Sequence, residues 1–248
     1  MKSLVKSALK TLLISDREKD ICILGRRLYC RPRQDFHLFR LALSQRLAPS
    51  HHELSAIVSL MGFAAPGVTF VDIGANIGLF SAAFASVGQI LGFDVVAIEP
   101  NPETVLRLKK TLSEFNNCVI HSCACSNDNG VVALRYGFDS QTAYIDSSLN
   151  ARKAHTNQDV EVVESRTLDS LLGDATNQII MKVDVEGHEK ETLEGAGELL
   201  RARRVNAILI DSVGNANKQW LHSLGYTSYE AHSLRRTNQG YSLLYVLT

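Results

Sequence analysis

The chain has 248 residues, of which 45% are hydrophobic and 21% charged, the make-up of an ordinary globular fold, and this excludes disorder as the dominant state. Lysine plus arginine and aspartate plus glutamate each number 26, for a formal net charge of zero, so avid nonspecific nucleic-acid binding, which needs clustered basic charge, is not expected. The length suits one large domain or one domain with a small extension, and no apolar run approaches the roughly 20 residues of a membrane-spanning helix.

Residues 1–15 interleave Lys2, Lys6 and Lys10 with Leu4, Val5, Leu9, Leu12 and Leu13. The lysines interrupt any signal-peptide core, and the spacing predicts a short amphipathic helix lying on the domain. Short strands are expected at 21–24 and 27–30 around Gly25, then a helix over 51–61 capped by Ser50. Residues 1–66 thus read as an N-terminal extension, a candidate cap for an acceptor site, ahead of a main domain spanning 67–248.

From residue 68 the pattern alternates. Strands are expected at 68–73 and 95–98, with a helix over 77–87 between them. Pro102 suits the first position of a helix reaching 115, with Asn101 as its cap and Glu103 in its first turn. Strands at 119–124 and 131–136 are joined by a turn at Asn129-Gly130. A buried strand follows at 179–183, then a helix over 189–203 with Leu193, Ala196, Leu199 and Leu200 on one face. A strand at 207–210 leads to a closing antiparallel hairpin of 227–231 and 242–247. This alternation predicts an α/β fold with a mostly parallel sheet covered on both faces. Such sheets bind ligands outside the carboxyl ends of their strands. The five cysteines, Cys22, Cys30, Cys118, Cys123 and Cys125, include no C-x-x-C pair, so buried, reduced thiols and a cytoplasmic protein are expected.

The first strand of the alternating region ends in Val71-Asp72-Ile73-Gly74-Ala75-Asn76-Ile77-Gly78. Gly74 permits a tight turn near a ligand, Gly78 permits close packing of the next helix, and that helix's N-terminus suits an anion, either phosphate or an amino-acid carboxylate. Asn76 stands where the G-x-G-x-x-G dinucleotide fingerprint has its second glycine, so a pyrophosphate would be crowded. Asp72 places a carboxylate in the turn, unhelpful beside phosphates but suited to an ammonium group. The second strand ends in Ile98-Glu99-Pro100-Asn101-Pro102, with Glu99 about 20 residues past the loop, where an acid accepts hydrogen bonds from ribose hydroxyls. An acidic loop, an acid on the ribose and no phosphate clamp point to S-adenosylmethionine, which carries a carboxylate, an ammonium and a sulfonium.

Lys182-Val183-Asp184-Val185-Glu186-Gly187-His188-Glu189 ends a buried strand and opens a helix. Extended spacing puts Asp184, Glu186 and His188 on one side, although Gly187 can swing His188 away. Ionisable groups at a strand's carboxyl end are costly unless partnered or used. The same D-x-E-x-H string is also a possible metal set.

These three segments, with Leu193-Glu194-Gly195-Ala196 and Thr167-Leu168-Asp169-Ser170-Leu171, resemble the FkbM family of S-adenosylmethionine-dependent methyltransferases. The resemblance implies a Rossmann-like, class I methyltransferase fold with seven strands, and O-methyl transfer to hydroxyls of sugars, glycolipids, polysaccharides or related natural products. Carried over by position, Asp72, Gly74, Ala75, Asn76, Gly78, Glu99, Pro100 and Asn101 form the cofactor set, and Asp184 sits near the methionine end. His188 is the first candidate base, because its pKa is nearest neutrality, and Glu186 the second, with Asp184 completing the catalytic set and no metal assigned. Asp211 departs from the resemblance, which leads one to expect a glutamate there. The acceptor is expected to be a small molecule or glycan, not a nucleic acid. The competing readings are a metal-dependent O-methyltransferase, a nucleic-acid or protein methyltransferase, an NAD-dependent oxidoreductase and a non-catalytic cofactor-binding module.

Overall fold

Helices flank the strands of the main sheet on both faces, so neither face has to be polar and the strands read as nearly continuous apolar runs. The computed structural model describes residues 17–35, 38, 42, 52–136, 143–146, 160–173, 176–211, 213–240 and 242–248. The expected helix over 1–15 and the Ser50 cap lie outside the described residues. In chain order the elements are β1 (Lys19–Ile23), β2 (Arg26–Cys30), α1 (His52–Met61), β3 (Thr69–Ile73), α2 (Leu79–Leu91), β4 (Asp94–Ile98), α3 (Pro102–Leu112) and β5 (Cys118–His121). Then come β6 (Ala124–Cys125), β7 (Gly130–Tyr136), β8 (Ala143–Ile145), β9 (Val160–Arg166), α4 (Leu168–Leu172) and β10 (Ile179–Val183). The chain closes with α5 (Glu189–Glu194), α6 (Gly197–Arg201), β11 (Val205–Asp211), α7 (Asn215–Ser223), β12 (Tyr226–Glu230) and β13 (Ser242–Leu247).

The main sheet has seven strands in the order β12-β13-β11-β10-β3-β4-β5. Strands β11, β10, β3, β4 and β5 pair in parallel, and β13 runs antiparallel between β11 and β12. This is the expected mostly parallel, Rossmann-like sheet with a C-terminal antiparallel hairpin. The chain builds outward from β3 to β5 and then returns to β10 on the other side of β3, so the order reverses between β3 and β10. A crevice opens at such a reversal, at the carboxyl ends of the strands.

Two expectations fail for tertiary reasons. The run over 119–124 is not one strand joined by a hairpin to 131–136. It breaks after His121, and β6 leaves the main sheet for a second sheet ordered β6-β9-β7-β8. There β9, unforeseen in the sequence, inserts between β6 and β7. The helix over 189–203 is likewise split. A Cβ on Gly195 would lie 2.0 Å from the Ser126 carbonyl oxygen, so the backbone passes too close for any side chain. The helix restarts at α6, where the Asp169 carboxylate accepts from Glu198 N and Leu199 N, each at 3.0 Å.

The alternation along β3 sends Val71 and Ile73 into one core and Phe70 into another. The first core lies under α4 to α7. The second lies under α1 and α2 and includes Ile23, Leu28 and Cys30 of the N-terminal hairpin. Phe70 stacks on Phe84 with ring centroids 3.6 Å apart. Near the sheet edge a buried ion pair, Arg107 Nε to Asp35 Oδ2 at 3.4 Å, ties the segment after β2 to α3. Cys30, Cys123 and Cys125 are buried free thiols, as expected, and Cys118 is half-buried, but Cys22 is exposed.

Asp72 and Lys182 are register partners on β3 and β10. In parallel strands such partners point to the same face, and here both are buried, at 0% and 7% exposure. Lys182 Nζ lies 3.4 Å from Asp72 Oδ1 and donates to the Gly74 carbonyl at 2.7 Å. Burial pushes the ammonium down, but Asp72 and Asp184 outweigh it and hold it above the ordinary lysine value, so Lys182 stays charged at neutral pH. Removing one member strands the other in the core, at a cost of about 3–5 kcal/mol. Asp72→Ala and Lys182→Met are each expected to lower unfolding free energy by that order in urea titrations, and the double variant by less than their sum. Additive losses would mean that the two residues do not act as a pair.

Candidate active site

The crevice between β3 and β10 holds a cavity of about 510 Å³, within the range of roughly 300–1,000 Å³ usual for small-molecule sites. Gly74, Asn76, Glu99, Pro100, Asn101, Asp184 and Glu186 line it. Asp72, Ala75, Gly78 and His188 do not reach it.

The loop after β3 explains this division. Gly74 has φ 73° and Asn76 φ 50°, left-handed conformations that glycine and asparagine tolerate best. A Cβ on Gly74 would lie 1.9 Å from the Asp184 carbonyl oxygen, so this glycine lets the loops after β3 and β10 touch. Gly78 packs against Leu108 and Thr111 of α3, not against the strand. Ala75 is buried, and its N–H donates to the Ile98 carbonyl at 3.0 Å. Asp72 is not a wall of the site. Its Oδ2 accepts from Ser81 N at 3.0 Å and Ser81 Oγ at 2.6 Å. The carboxylate thus already occupies the positive N-terminus of α2, which the sequence reading had left open to a bound anion.

Glu99 follows β4 and is 7% exposed. Its Oε2 accepts from Asn76 N at 2.9 Å and its Oε1 from Asn101 N at 3.0 Å. Burial pushes this carboxyl above the usual carboxylate range, against the pull of the two backbone amides. Each oxygen keeps a lone pair for a ligand hydroxyl. Asn101 is the expected helix cap, its Oδ1 accepting from Glu103 N and Thr104 N. Ile98, Cys123, Cys125, Leu134 and Ile145 make the apolar floor, and Gln34, Asp35 and Arg107 form a wall from the N-terminal segment and α3. Nothing in the sequence pattern marked that wall, because its residues meet only through tertiary packing. Lys182 carries no role in the sequence motif that contains it. The signal missed was a lone cation in an apolar strand, in register with Asp72.

After β10 the chain does not stay extended. Glu186 has φ 52° and Gly187 φ 100°, and the path reverses. Asp184 and Glu186 face the cavity, while His188 turns under the loop at 4% exposure. His188 Nε2 lies 3.1 Å from Ser126 Oγ, and Nδ1 lies 3.6 Å from Glu191 Oε2. His188 therefore does not line the cavity, because the two left-handed residues before it undo the strand spacing. Burial holds its pKa below the ordinary histidine value, against Glu191, Glu189 and Asp128. Among the described residues no group of three or more His, Cys, Asp or Glu side chains converges as a metal site. Glu186 is pushed up, by burial first and then by the Asp184, Glu189 and Asp211 carboxylates.

The methyltransferase FkbM domain family matches residues 72–243. The chain belongs to the FkbM methyltransferase family. The hexuronic acid methyltransferase AglP of Haloferax volcanii is 28% identical over 147 residues, 56% of this chain and 54% of that protein, so the match takes in about half the length of this curated relative. The crystal structure of methyltransferase FkbM from Methylobacillus flagellatus KT overlays with a TM-score of 0.50 at 17% identity, covering 86% of this chain and 60% of that one, a likeness of fold. M. jannaschii TYW2, solved in complex with AdoMet, overlays at 0.47 with 13% identity over 95% of this chain and 87% of that one. The FkbM match begins at Asp72 and takes in Glu99 and the 182–189 string, while the wall residues Gln34 and Asp35 lie before it. Among the described residues of this FkbM protein, no helix is long and apolar enough to cross a membrane.

His188 gives a clean test of a structural against a catalytic histidine. A histidine whose folded pKa is lowered binds fewer protons than its unfolded form, so its stability contribution is full above the unfolded pKa of about 6.5. That contribution is lost as pH falls through the folded value. His188→Ala is expected to cost about 1–3 kcal/mol at neutral pH through the orphaned Ser126 contact. It should also flatten the loss of stability below about pH 6.5 while sparing turnover. A collapse of turnover in a folded variant would restore His188 as the base.

Proposed function

We propose that this methyltransferase moves the methyl group of S-adenosylmethionine to a hydroxyl of a sugar or related glycan. The observation that carries the reading is the buried Glu99 carboxylate, fixed by two backbone amides in a switch-point cavity that Asp184 and Glu186 also line. The residues present suit such a donor. Glu99 is placed for vicinal ribose hydroxyls, the apolar floor for a purine ring, and the half-exposed Asp184 carboxylate for an ammonium group or a sulfonium field. Asp72 serves this end indirectly, by anchoring Lys182 and the turn beneath Gly74. The sugar acceptor is favoured by the relative named for hexuronic acid.

S-adenosylmethionine brings a methyl group already activated on a positively charged sulfur. The chain then has three tasks: to align the acceptor oxygen, to exclude water and to take the hydroxyl proton as the carbon–oxygen bond forms. Glu186 is the carboxylate we assign as proton acceptor. It lines the cavity, its left-handed backbone aims it there, and its neighbours raise its proton affinity. Asp184 is already engaged by Lys182 at 3.5 Å, so of the two Glu186 is the carboxylate with no lysine ion pair among the described residues.

Two measurements test this. Glu99→Gln can no longer accept from both amides, and it is expected to weaken S-adenosylhomocysteine binding by about 1–3 kcal/mol in calorimetry; unchanged affinity would place the ribose elsewhere. Glu186→Gln is expected to keep that affinity and lose on the order of 10²–10⁴ in turnover. In the unmodified enzyme, turnover should rise with pH through a value above the ordinary carboxylate range, because Glu186 must be ionised to act. An acid limb at the ordinary value would remove the assignment.

A further inference from the structure

A second cavity, of about 400 Å³, lies on the other side of Asp184 and shares that residue with the first. Four separate parts of the fold close around it: α1 through Glu53, the start of α2 through Phe80, the ends of β10 and β11 through Asp184 and Asp211, and the terminal hairpin through Glu230 and His232. No cofactor residue assigned above other than Asp184 lines it. It adjoins the first cavity at Asp184, two residues before Glu186 in the chain, so an acceptor bound here can present a hydroxyl toward the first cavity, where the assigned proton acceptor lies. Phe80 offers an apolar ring surface, and the carboxylates offer hydrogen-bond acceptors, which together suit a ring carrying hydroxyls.

The charge of this lining is lopsided. Of its basic groups, Lys182 already serves Asp72, Asp184 and the Gly74 carbonyl. His232 Nε2 lies 3.5 Å from Glu230 Oε1. Asp184 presses on Asp211, whereas Glu230 is held by the Ser233 hydroxyl, His232 and Arg235. Asp211 is pushed up by burial and by Asp184, with Ser242 pulling the other way. A negatively charged ligand would add to this repulsion, and a positive one would relieve it.

Resting on the sugar-methylation reading, we propose that this second cavity is the acceptor site and that it selects by charge, taking amine-bearing sugars over neutral ones and rejecting uronates. Asp211 and Glu230 set that order. The position at which the sequence departs from its family's expected glutamate then belongs to the acceptor and not to the cofactor. The selectivity is opposite to the substrate for which the Haloferax relative is named.

The test is a calorimetric titration of the full chain, with and without saturating S-adenosylhomocysteine, against three probes of equal length. These are a glucosamine tetramer, cellotetraose and a tetragalacturonate. The expected affinity order is glucosamine, then cellotetraose, then galacturonate, with at least tenfold between the first and last. Asp211→Asn and Glu230→Gln, singly and together, should flatten the order, while Glu198→Gln, an exposed carboxylate on α6 outside the cavity, should leave it intact. A flat or reversed order in the unmodified chain, binding of none of the probes, or equal flattening by Glu198→Gln would overturn the proposal. Failure of S-adenosylhomocysteine to bind would instead overturn the function proposed above, and the charge order would still be read from the titrations without it.

Discussion

A lysine buried at the point where the sheet changes direction governs the geometry of this site. Lys182 cannot reach bulk water from β10, so its charge has to be met inside the fold. Asp72 lies opposite it in register, the Gly74 carbonyl lies within hydrogen-bond distance, and Asp184 approaches from the loop beyond. These three acceptors fix the ends of two neighbouring strands and the turn between β3 and α2. The close contact of Gly74 with the Asp184 carbonyl follows from the same constraint, since no Cβ fits between the two loops.

That constraint divides the labour among acids that look alike in sequence. Asp72 faces inward, shared between a cation and the amino end of α2. Glu99, one strand over, has no lysine within bonding distance among the described residues and is instead held by two backbone amides, which leaves its remaining lone pairs for the cavity it lines. Asp184 stands at the boundary, half-exposed and tied to Lys182. Glu186 and Asp211 carry the raised proton affinity that follows from burial near other carboxylates. Two cavities meeting at Asp184 are the natural arrangement for a reaction between two ligands, one on either side of a fixed negative charge.

The positions of the ligand-facing loops were legible from local chemistry. Gly74, Asn76 and Glu99 follow buried strands, and their types match the turns and acceptors such positions require. The hairpin and the Asn101 cap were legible for the same reason, because turn and cap signals act over a few residues. One misplacement came from a local reversal of the backbone and the others from contacts across long separations. His188 is two residues from Glu186 and would share its face in an extended strand, but the left-handed pair at 186 and 187 reverses the path. Strand β9 displaced an expected hairpin because its partners, β6 and β7, lie far earlier in the chain. The split between α5 and α6 was invisible because the obstacle at Gly195 is a carbonyl from residue 126.

The sequence by itself determined the alternation of strand and helix, the two acidic loops at the carboxyl ends of β3 and β4, and the family to which they point. These depend on periodicity and on short-range turn chemistry, which act between neighbours. Only the tertiary structure decided that Asp72 supports the cavity without lining it, that Glu186 and not His188 lines it, and that Glu53, Phe80, Asp211 and Glu230 close one space. Those outcomes depend on where a buried charge finds its partner and on which backbones pass too close for a side chain, and both are set by chain segments brought together from more than a hundred residues apart.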